Sequence, residues 1–200
     1  MVKRTVTVDV SGLTADDVIA VGREGALVEL SGPALRAIAA ARAHVEMLAA
    51  GSTPVYGVST GFGALATRRI DPAQRERLQR SLIRSHSAGV GDPIERDIVR
   101  AMMLLRLRTI ASGITGVRPE TAEALVRLLN AGITPVVPEF GSLGCSGDLA
   151  PLAHCALVLM GEGDAFGPEG QIEPAAALLE RSGIAPVALA AKEGLGLING

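Results

Sequence analysis

Residues 141–152 have the sequence Gly-Ser-Leu-Gly-Cys-Ser-Gly-Asp-Leu-Ala-Pro-Leu. Glycine and serine dominate the first half of this stretch, and glycine permits backbone conformations that other residues rarely adopt. The second half starts an apolar run that predicts a helix from Asp148 to Met160, ended by Gly161. The unusually apolar loop over 132–147 therefore leads directly into a helix. Loops of this length are seldom without a function.

The rest of the chain also has mainly helical patterns. Helix-start signals, in which a capping residue is followed by proline or an acidic residue, recur along it. They predict helices that begin near Thr14, Ser31, Asp71, Asp92 and Pro119, with a short helix over 174–182. Alternating polar and apolar residues predict short strands over 4–10 and 26–30, and 161–173 has the pattern of a hairpin or exposed loop. With the second glycine-rich loop over 52–70, we expect a mainly α chain with short strands and long glycine-rich loops.

The composition excludes several classes of protein. Apolar residues make up 48% and charged residues 20%, which excludes a disordered chain. The net charge is −2 and aromatic residues are 2%, so we expect neither nucleic acid nor membrane as a partner. Residues 1–10 lack the apolar core of a signal peptide. Cys145 and Cys155 have neither metal-ligand nor disulfide spacing, which favours a reduced, cytoplasmic protein without a metal site.

Three motifs are better interpreted as structure than as chemistry. Residues 57–61 match the Gly-x-Ser-x-Gly elbow of serine hydrolases, but that elbow needs a strand before it and a helix directly after it, whereas more glycine follows here. His154 lies in an apolar helix, where we expect a buried, hydrogen-bonded structural histidine. Cys155 follows on the same run and is expected in the core.

Four segments, in this order, resemble signatures of the aromatic amino acid ammonia-lyase and aminomutase family. They are Val-Tyr-Gly-Val-Ser-Thr-Gly-Phe-Gly (55–63), Ser-His-Ser-Ala-Gly (85–89), the loop and helix start at 141–154, and Lys-Glu-Gly-Leu-Gly-Leu-Ile-Asn-Gly (192–200). The resemblance implies the N-terminal domain of the ammonia-lyase fold, normally followed by a long helical bundle. We treat 1–200 as one domain, and its apolar last residues predict a chain truncated at its C-terminal end.

The resemblance implies that Cys145, Ser146 and Gly147 cyclise to 4-methylideneimidazol-5-one (MIO), an electrophile made from the chain itself. The Gly147 amide nitrogen would attack the Cys145 carbonyl carbon, and a glycine leaves that approach unobstructed. The Ser146 hydroxyl would then leave, so that no external cofactor or metal is needed. Family members most often have alanine at the first position, but the Cys145 side chain is only a substituent on the ring. A thiolate nucleophile at Cys145 is the alternative.

Ser85-His86 indicates the substrate by the same resemblance. At this pair, phenylalanine lyases of the family have Phe-Leu, tyrosine lyases have His-Leu and histidine lyases have Ser-His. The resemblance therefore implies elimination of ammonia from L-histidine to give trans-urocanate, the first step of histidine degradation. His86, with Ser85, would bind the substrate, although a histidine that only caps a helix end is the alternative.

The remaining roles also follow from the resemblance. Tyr56 would be the base that removes the β-proton, with a merely packed tyrosine as the alternative. Asn199 would donate a hydrogen bond to the ring oxygen. Asp148 would support ring formation, although helix N-capping explains this residue nearly as well.

The resemblance leaves other functions open. An aminomutase would use the same ring and return ammonia to the β-carbon, and a phenylalanine or tyrosine lyase would take another substrate. A catalytically incomplete fragment would act only in assembly. The family also implies a homotetramer when the chain is full length.

Overall fold

The computed structural model describes residues 3–144 and 147–199. The predicted ring residues Cys145 and Ser146 lie outside the described residues. Within them the chain forms eight α-helices: α1 (Ala15–Gly22), α2 (Gly32–Ala50), α3 (Arg75–His86), α4 (Arg96–Ala111), α5 (Pro119–Asn130), α6 (Leu149–Leu159), α7 (Ala175–Arg181) and α8 (Glu193–Ile198). The predicted mainly α class is confirmed, while the prediction of one domain over 1–200 stays a prediction.

The strands of the described part are short and form three small sheets. The strands are β1 (Thr5–Val8), β2 (Leu27–Leu30), β3 (Val90–Pro93), β4 (Thr134–Pro135), β5 (Pro138–Phe140), β6 (Asp164–Phe166) and β7 (Ile172–Pro174). β1 pairs with β2 in parallel, β3 pairs with β5 antiparallel, and β4, β6 and β7 form an antiparallel sheet in that order. The strands predicted at 4–10 and 26–30 and the hairpin at 161–173 are confirmed.

Two helix starts follow the predicted capping chemistry. The Thr14 hydroxyl accepts a hydrogen bond from Asp17 N at 3.2 Å, and the Asp17 carboxylate accepts one from Thr14 N at 3.1 Å. Ser31 Oγ accepts a hydrogen bond from Ala34 N at 3.0 Å at the start of α2. These side chains bond main-chain N–H groups that have no partner inside the helix.

The helix predicted to open at Asp92-Pro93 begins instead at Arg96. Residues 90–93 form β3, with Val90 opposite Phe140 on β5. Ile94 N also donates to Val137 O at 2.9 Å. Pairing with a distant segment therefore overrides a local helix-start signal, and it ties the chain after α3 to the loop before α6.

Helix α4 lies at the centre of the core. Val99, Met103, Leu107 and Ile110 recur at helical spacing and are each at most 1% exposed. α4 packs on α1, α2, α5 and α6, while α3, α6 and α8 pack on one another. The second group positions the candidate site. No helix within the described residues is long and apolar enough to span a membrane.

Candidate active site

The predicted ring-forming loop is residues 141–148, of which the structure describes 141–144 and 147–148. The backbone of these described residues is compatible with the predicted cyclisation. Gly144 and Gly147 have φ values of 65° and 81°, a region that residues with a Cβ rarely adopt. Gly147 stands at the position whose amide nitrogen would attack, and α6 begins two residues later at Leu149. The backbone at Gly147 therefore has the conformational freedom that the predicted cyclisation needs.

Asp148 does not cap α6. Its carboxylate oxygen Oδ1 instead accepts a hydrogen bond from Ser142 Oγ, and its side chain makes no capping hydrogen bond to the helix. The capping alternative from the sequence is therefore wrong. The Ser142–Asp148 bond closes the two ends of the ring-forming loop on each other.

A cavity of about 540 Å³ lies beside this loop. It is lined by apolar side chains of α4 and by Arg106, and Ser142, Gly147 and Asp148 line it as well. The full lining is Ile94, Ile98, Ala101, Met102, Leu105, Arg106, Thr109, Val137, Pro138, Glu139, Ser142, Gly147, Asp148, Pro151 and Leu152. Tyr56, Ser85, His86 and Asn199 do not line it.

Tyr56 lies on the loop between α2 and α3 and is 52% exposed. Its hydroxyl oxygen accepts a hydrogen bond from Gly63 N at 3.4 Å, and its ring meets Phe62 edge-on with centroids 6.0 Å apart. Gly57, with a φ of 68°, lets this loop approach α8, since a Cβ there would lie 2.8 Å from Leu195 Cδ2. The tyrosine loop (residues 55–63) therefore contacts the asparagine segment (residues 192–200) at Leu195.

The hydrolase elbow is not an exposed nucleophile. Ser59 is fully buried, and its hydroxyl oxygen accepts a hydrogen bond from Val55 N at 2.9 Å. The serine therefore stabilises the tyrosine loop, in agreement with the structural interpretation of this motif.

Ser85 and His86 form the last turn of α3. Ser85 Oγ donates to Leu82 O at 2.9 Å, and His86 Nδ1 lies 2.9 Å from the same oxygen. A carbonyl oxygen only accepts, so this contact assigns the proton of a neutral His86 ring to Nδ1. His86 therefore makes the helix-end hydrogen bond that the capping alternative predicts. Its Nε2 has no hydrogen-bond partner within the described residues.

His154 joins the Ser85-His86 segment to α6. Gly89 N donates to His154 Nε2 at 3.2 Å, so Nε2 is the unprotonated nitrogen of this ring. Burial lowers the pKa of His154, which favours this neutral form. A Cβ on Gly141 would lie 3.1 Å from Gly89 Cα, so the start of the ring-forming loop touches the same segment. The expected hydrogen bond of His154 is confirmed, but the side chain is half-buried rather than buried, and the sequence did not indicate its partner.

Asn199 follows the last residue of α8 and is exposed. Its main-chain oxygen accepts a hydrogen bond from Arg106 Nη1 at 2.7 Å. Through Arg106, the asparagine is connected to the wall of the cavity beside the ring-forming loop. The sequence analysis did not single out Arg106, because one basic residue in a long helix resembles a solvated side chain.

Glu193 anchors the start of α8 and was also missed. It is 0% exposed, and its carboxylate accepts hydrogen bonds from Arg118, Thr121 Oγ1 and Ala190 N at 2.6–3.1 Å. Burial raises the pKa of Glu193, but the hydrogen bonds from Arg118 and Thr121 outweigh burial and hold this pKa below its usual value. The carboxylate is therefore ionised and paired inside the protein.

Two further expectations concern thiols and metals. Cys155 is 5% exposed, and burial raises the pKa of its thiol to about 12, which confirms its place in the core. Across residues 3–144 and 147–199, no three histidine, cysteine, aspartate or glutamate side chains form a group that could hold a metal ion.

The model of the aromatic amino acid lyase family matches residues 13–200, nearly the whole chain. The chain belongs to the aromatic amino acid lyase family. Histidine ammonia-lyase from Streptomyces coelicolor is 65% identical over 196 residues, which is 98% of this chain and 38% of that protein. Histidine ammonia-lyase from Gloeobacter violaceus is 53% identical over 192 residues, 96% of this chain and 37% of that protein. The chain thus spans about two fifths of the length of these relatives.

Solved structures of aromatic amino acid lyases and aminomutases share the fold. The crystal structure of histidine ammonia-lyase from Trypanosoma cruzi has a TM-score of 0.89 and 41% identity over 98% of this chain and 37% of that chain. Tyrosine aminomutase from Streptomyces globisporus has a TM-score of 0.90 and 41% identity over 98% of this chain and 36% of that chain. The same fold therefore occurs in proteins named as an ammonia-lyase and as an aminomutase, so the fold alone does not decide between these activities.

Proposed function

We propose that the whole protein eliminates ammonia from L-histidine and releases trans-urocanate, the first step of histidine degradation. The observation that carries this proposal is the Ser85-His86 pair, which lies three residues before Gly89, where the chain closely approaches Gly141 at the start of the ring-forming loop. The identity of 65% to a histidine ammonia-lyase supports the same substrate.

Residues 145–147 would supply MIO, the electrophile that captures the substrate amine and makes it a better leaving group. Ring closure joins the Gly147 amide nitrogen to the Cys145 carbonyl carbon with loss of one water. Loss of the Ser146 hydroxyl as a second water leaves the exocyclic methylidene. The left-handed backbone at Gly147 supports this chemistry, and the bond from Ser142 to Asp148 holds the flanks of the loop while it occurs.

His86 would recognise the imidazole of the substrate. Its Nδ1 donates to Leu82 O, so a neutral ring presents Nε2 as an acceptor. An imidazole N–H of L-histidine can donate to that nitrogen. Phenylalanine has no side-chain donor, so this contact favours histidine over phenylalanine.

Tyr56 would remove the β-proton through its phenolic oxygen. Gly63 N donates a hydrogen bond to that oxygen at 3.4 Å, which orients the hydroxyl. The exposure of Tyr56 leaves this oxygen accessible to a substrate. Asn199 would donate its side-chain amide to the ring oxygen, where negative charge develops as the amine adds.

The whole protein would act as a cytoplasmic homotetramer, with no external cofactor or metal and no nucleic acid or membrane as partner. These proposals rest on membership of the family. A tetramer would also cover the apolar side chains of α4 that point away from the core, of which Ile98 and Leu105 are 51% and 49% exposed.

The test is a Ser146→Ala variant of the whole protein. Without the Ser146 hydroxyl the second water cannot leave, so we expect this variant to keep its fold and to lose urocanate production. Intact mass should be two waters below the sequence value in the unsubstituted protein and not in the variant. Ser182→Ala, at an exposed serine after α7, is the matched control and should retain both the mass deficit and activity.

Turnover by Ser146→Ala close to that of the unsubstituted protein would overturn the mechanism.

Analysis of the products of the unsubstituted protein separates the related reactions: an amino acid with its amine on the β-carbon would identify an aminomutase. Faster formation of cinnamate from L-phenylalanine, or of coumarate from L-tyrosine, than of urocanate from L-histidine would identify a phenylalanine or tyrosine lyase.

A further inference from the structure

Arg106 is buried beneath the end of α8. It is 6% exposed, although it carries a guanidinium group. Its Nη1 donates to Asn199 O at 2.7 Å, and its Nη2 donates to Gly196 O. α8 has only six residues, so the carbonyls at its end have no partner within the helix. One side chain from α4 therefore fixes the backbone where Asn199 leaves α8.

This guanidinium has no carboxylate partner within the described residues. Its Nε is buried and likewise has no hydrogen-bond partner there. Burial lowers the pKa of Arg106 to about 10, so the group is still charged near neutral pH. Burial lowers the pKa of Lys192, and the positive charge of Arg106 lowers that pKa further. Burying a charge without a counter-charge is costly, and an apolar side chain would fill the space at lower cost.

The location of Arg106 offers a reason for keeping the charge. Arg106 lines the cavity together with Ser142, Gly147 and Asp148. The same side chain thus bounds the space beside the ring-forming loop and donates to the main chain of Asn199.

We propose that Arg106 is a positioning residue, which fixes the main chain at Asn199 so that the side-chain amide of Asn199 is held towards the ring oxygen. This inference rests on the proposed function, because it assigns to Arg106 the task of orienting a group used in that reaction. The hydrogen bonds of Arg106 go to main-chain oxygens of Gly196 and Asn199, so it would act through Asn199.

The experiment compares Arg106→Met and Arg106→Lys in the whole protein, each with and without Asn199→Ala. Methionine retains the apolar stem and removes the donors, whereas lysine retains one charged donor. We expect Arg106→Met to lower kcat about 10- to 100-fold with KM changed less than about 3-fold, because a small misplacement of a catalytic group has that effect. Arg106→Lys should retain most of kcat. In the Asn199→Ala background, Arg106→Met should have little further effect.

The matched control is Arg42→Met. Arg42 is 9% exposed, pairs with Glu46 and donates to Ala191 O at 2.9 Å, so it is a second buried arginine that anchors the chain, just before α8. A purely structural role predicts that both methionine variants lower the melting temperature and leave kcat unchanged. Positioning predicts that only Arg106→Met lowers kcat, and that hydrogen exchange rises over 193–199 in that variant.

An unchanged kcat in Arg106→Met would overturn this inference, and so would an equal loss of kcat with and without Asn199. Unaltered exchange over 193–199 would overturn it whatever the substrate. Failure of the proposed function is a different result: the unsubstituted protein would then release no urocanate from L-histidine.

Discussion

The hydroxyl of Tyr56 is the group that the proposed elimination depends on most directly at the scale of a single residue. Tyr56→Phe removes that oxygen and retains the ring that meets Phe62 edge-on. We expect kcat to fall about 10²- to 10⁴-fold, the usual contribution of a general base, with KM nearly unchanged. Steady-state kinetics with L-histidine checks this prediction. A raised KM with normal kcat would instead indicate a binding role.

His154 predicts a pH dependence of stability. Burial lowers its pKa in the folded protein below the usual 6.5, so the unfolded chain binds the proton more readily. The stabilisation is therefore complete above about pH 6.5, and it is lost as the pH falls from there through the folded pKa. Protonation also removes the acceptor that Gly89 N uses.

The measurement is the apparent melting temperature at pH 5.5–7.5 for His154→Gln, whose side-chain oxygen can accept from Gly89 N and does not titrate. We expect a smaller loss of stability on acidification than in the unsubstituted protein. His44→Gln, at an exposed position of α2, is the control and should leave the pH profile unchanged. A His154→Gln profile identical to that of the unsubstituted protein would contradict the prediction.

At the scale of elements, the position of α8 depends on the buried carboxylate of Glu193. Glu193→Ala would leave Arg118, Thr121 and Ala190 N without their shared acceptor. Arg118 is one-third exposed, so the main cost is the loss of an acceptor by buried donors such as Thr121, and we expect the free energy of unfolding to fall by about 1–3 kcal/mol.

Urea unfolding monitored by circular dichroism measures this change. Glu173→Ala breaks an exposed pair with Arg181 and should have little effect, because water and salt screen it. If the two variants lose the same stability, Glu193 does not anchor α8.

Elements are predicted from sequence where their signals are local. Thr14 with Asp17 and Ser31 with Ala34 N are capping contacts within one turn of helix, and both follow from the residue types. β3 was missed because Val90–Pro93 does not alternate and contains proline, and because its partner β5 lies nearly fifty residues away. The signal at Asp92-Pro93 therefore predicts a helix start where the chain forms β3, and α4 begins only at Arg96.

At the scale of the whole molecule, the four motifs mark a site whose supporting residues they do not reveal. Tyr56, His86 and Asn199 follow from resemblance because they lie inside recognisable segments. Arg106 and Glu193 lie among ordinary helical residues, and their importance comes from partners about 70 to 90 residues away in sequence. Contacts over such separations leave no periodic signal in a single sequence, so only the folded structure reveals them.

The close approach of Gly89 and Gly141 has a consequence for engineering. A Cβ at position 89 would lie 3.1 Å from His154 Nε2, and one at position 141 would lie 3.1 Å from Gly89 Cα. A library that randomises positions 85 and 86 to change substrate preference should therefore keep both glycines. A side chain at position 89 would press on His154 and Pro138, and one at position 141 would press on Gly89 and Ala150, so both positions should tolerate little diversity in directed evolution.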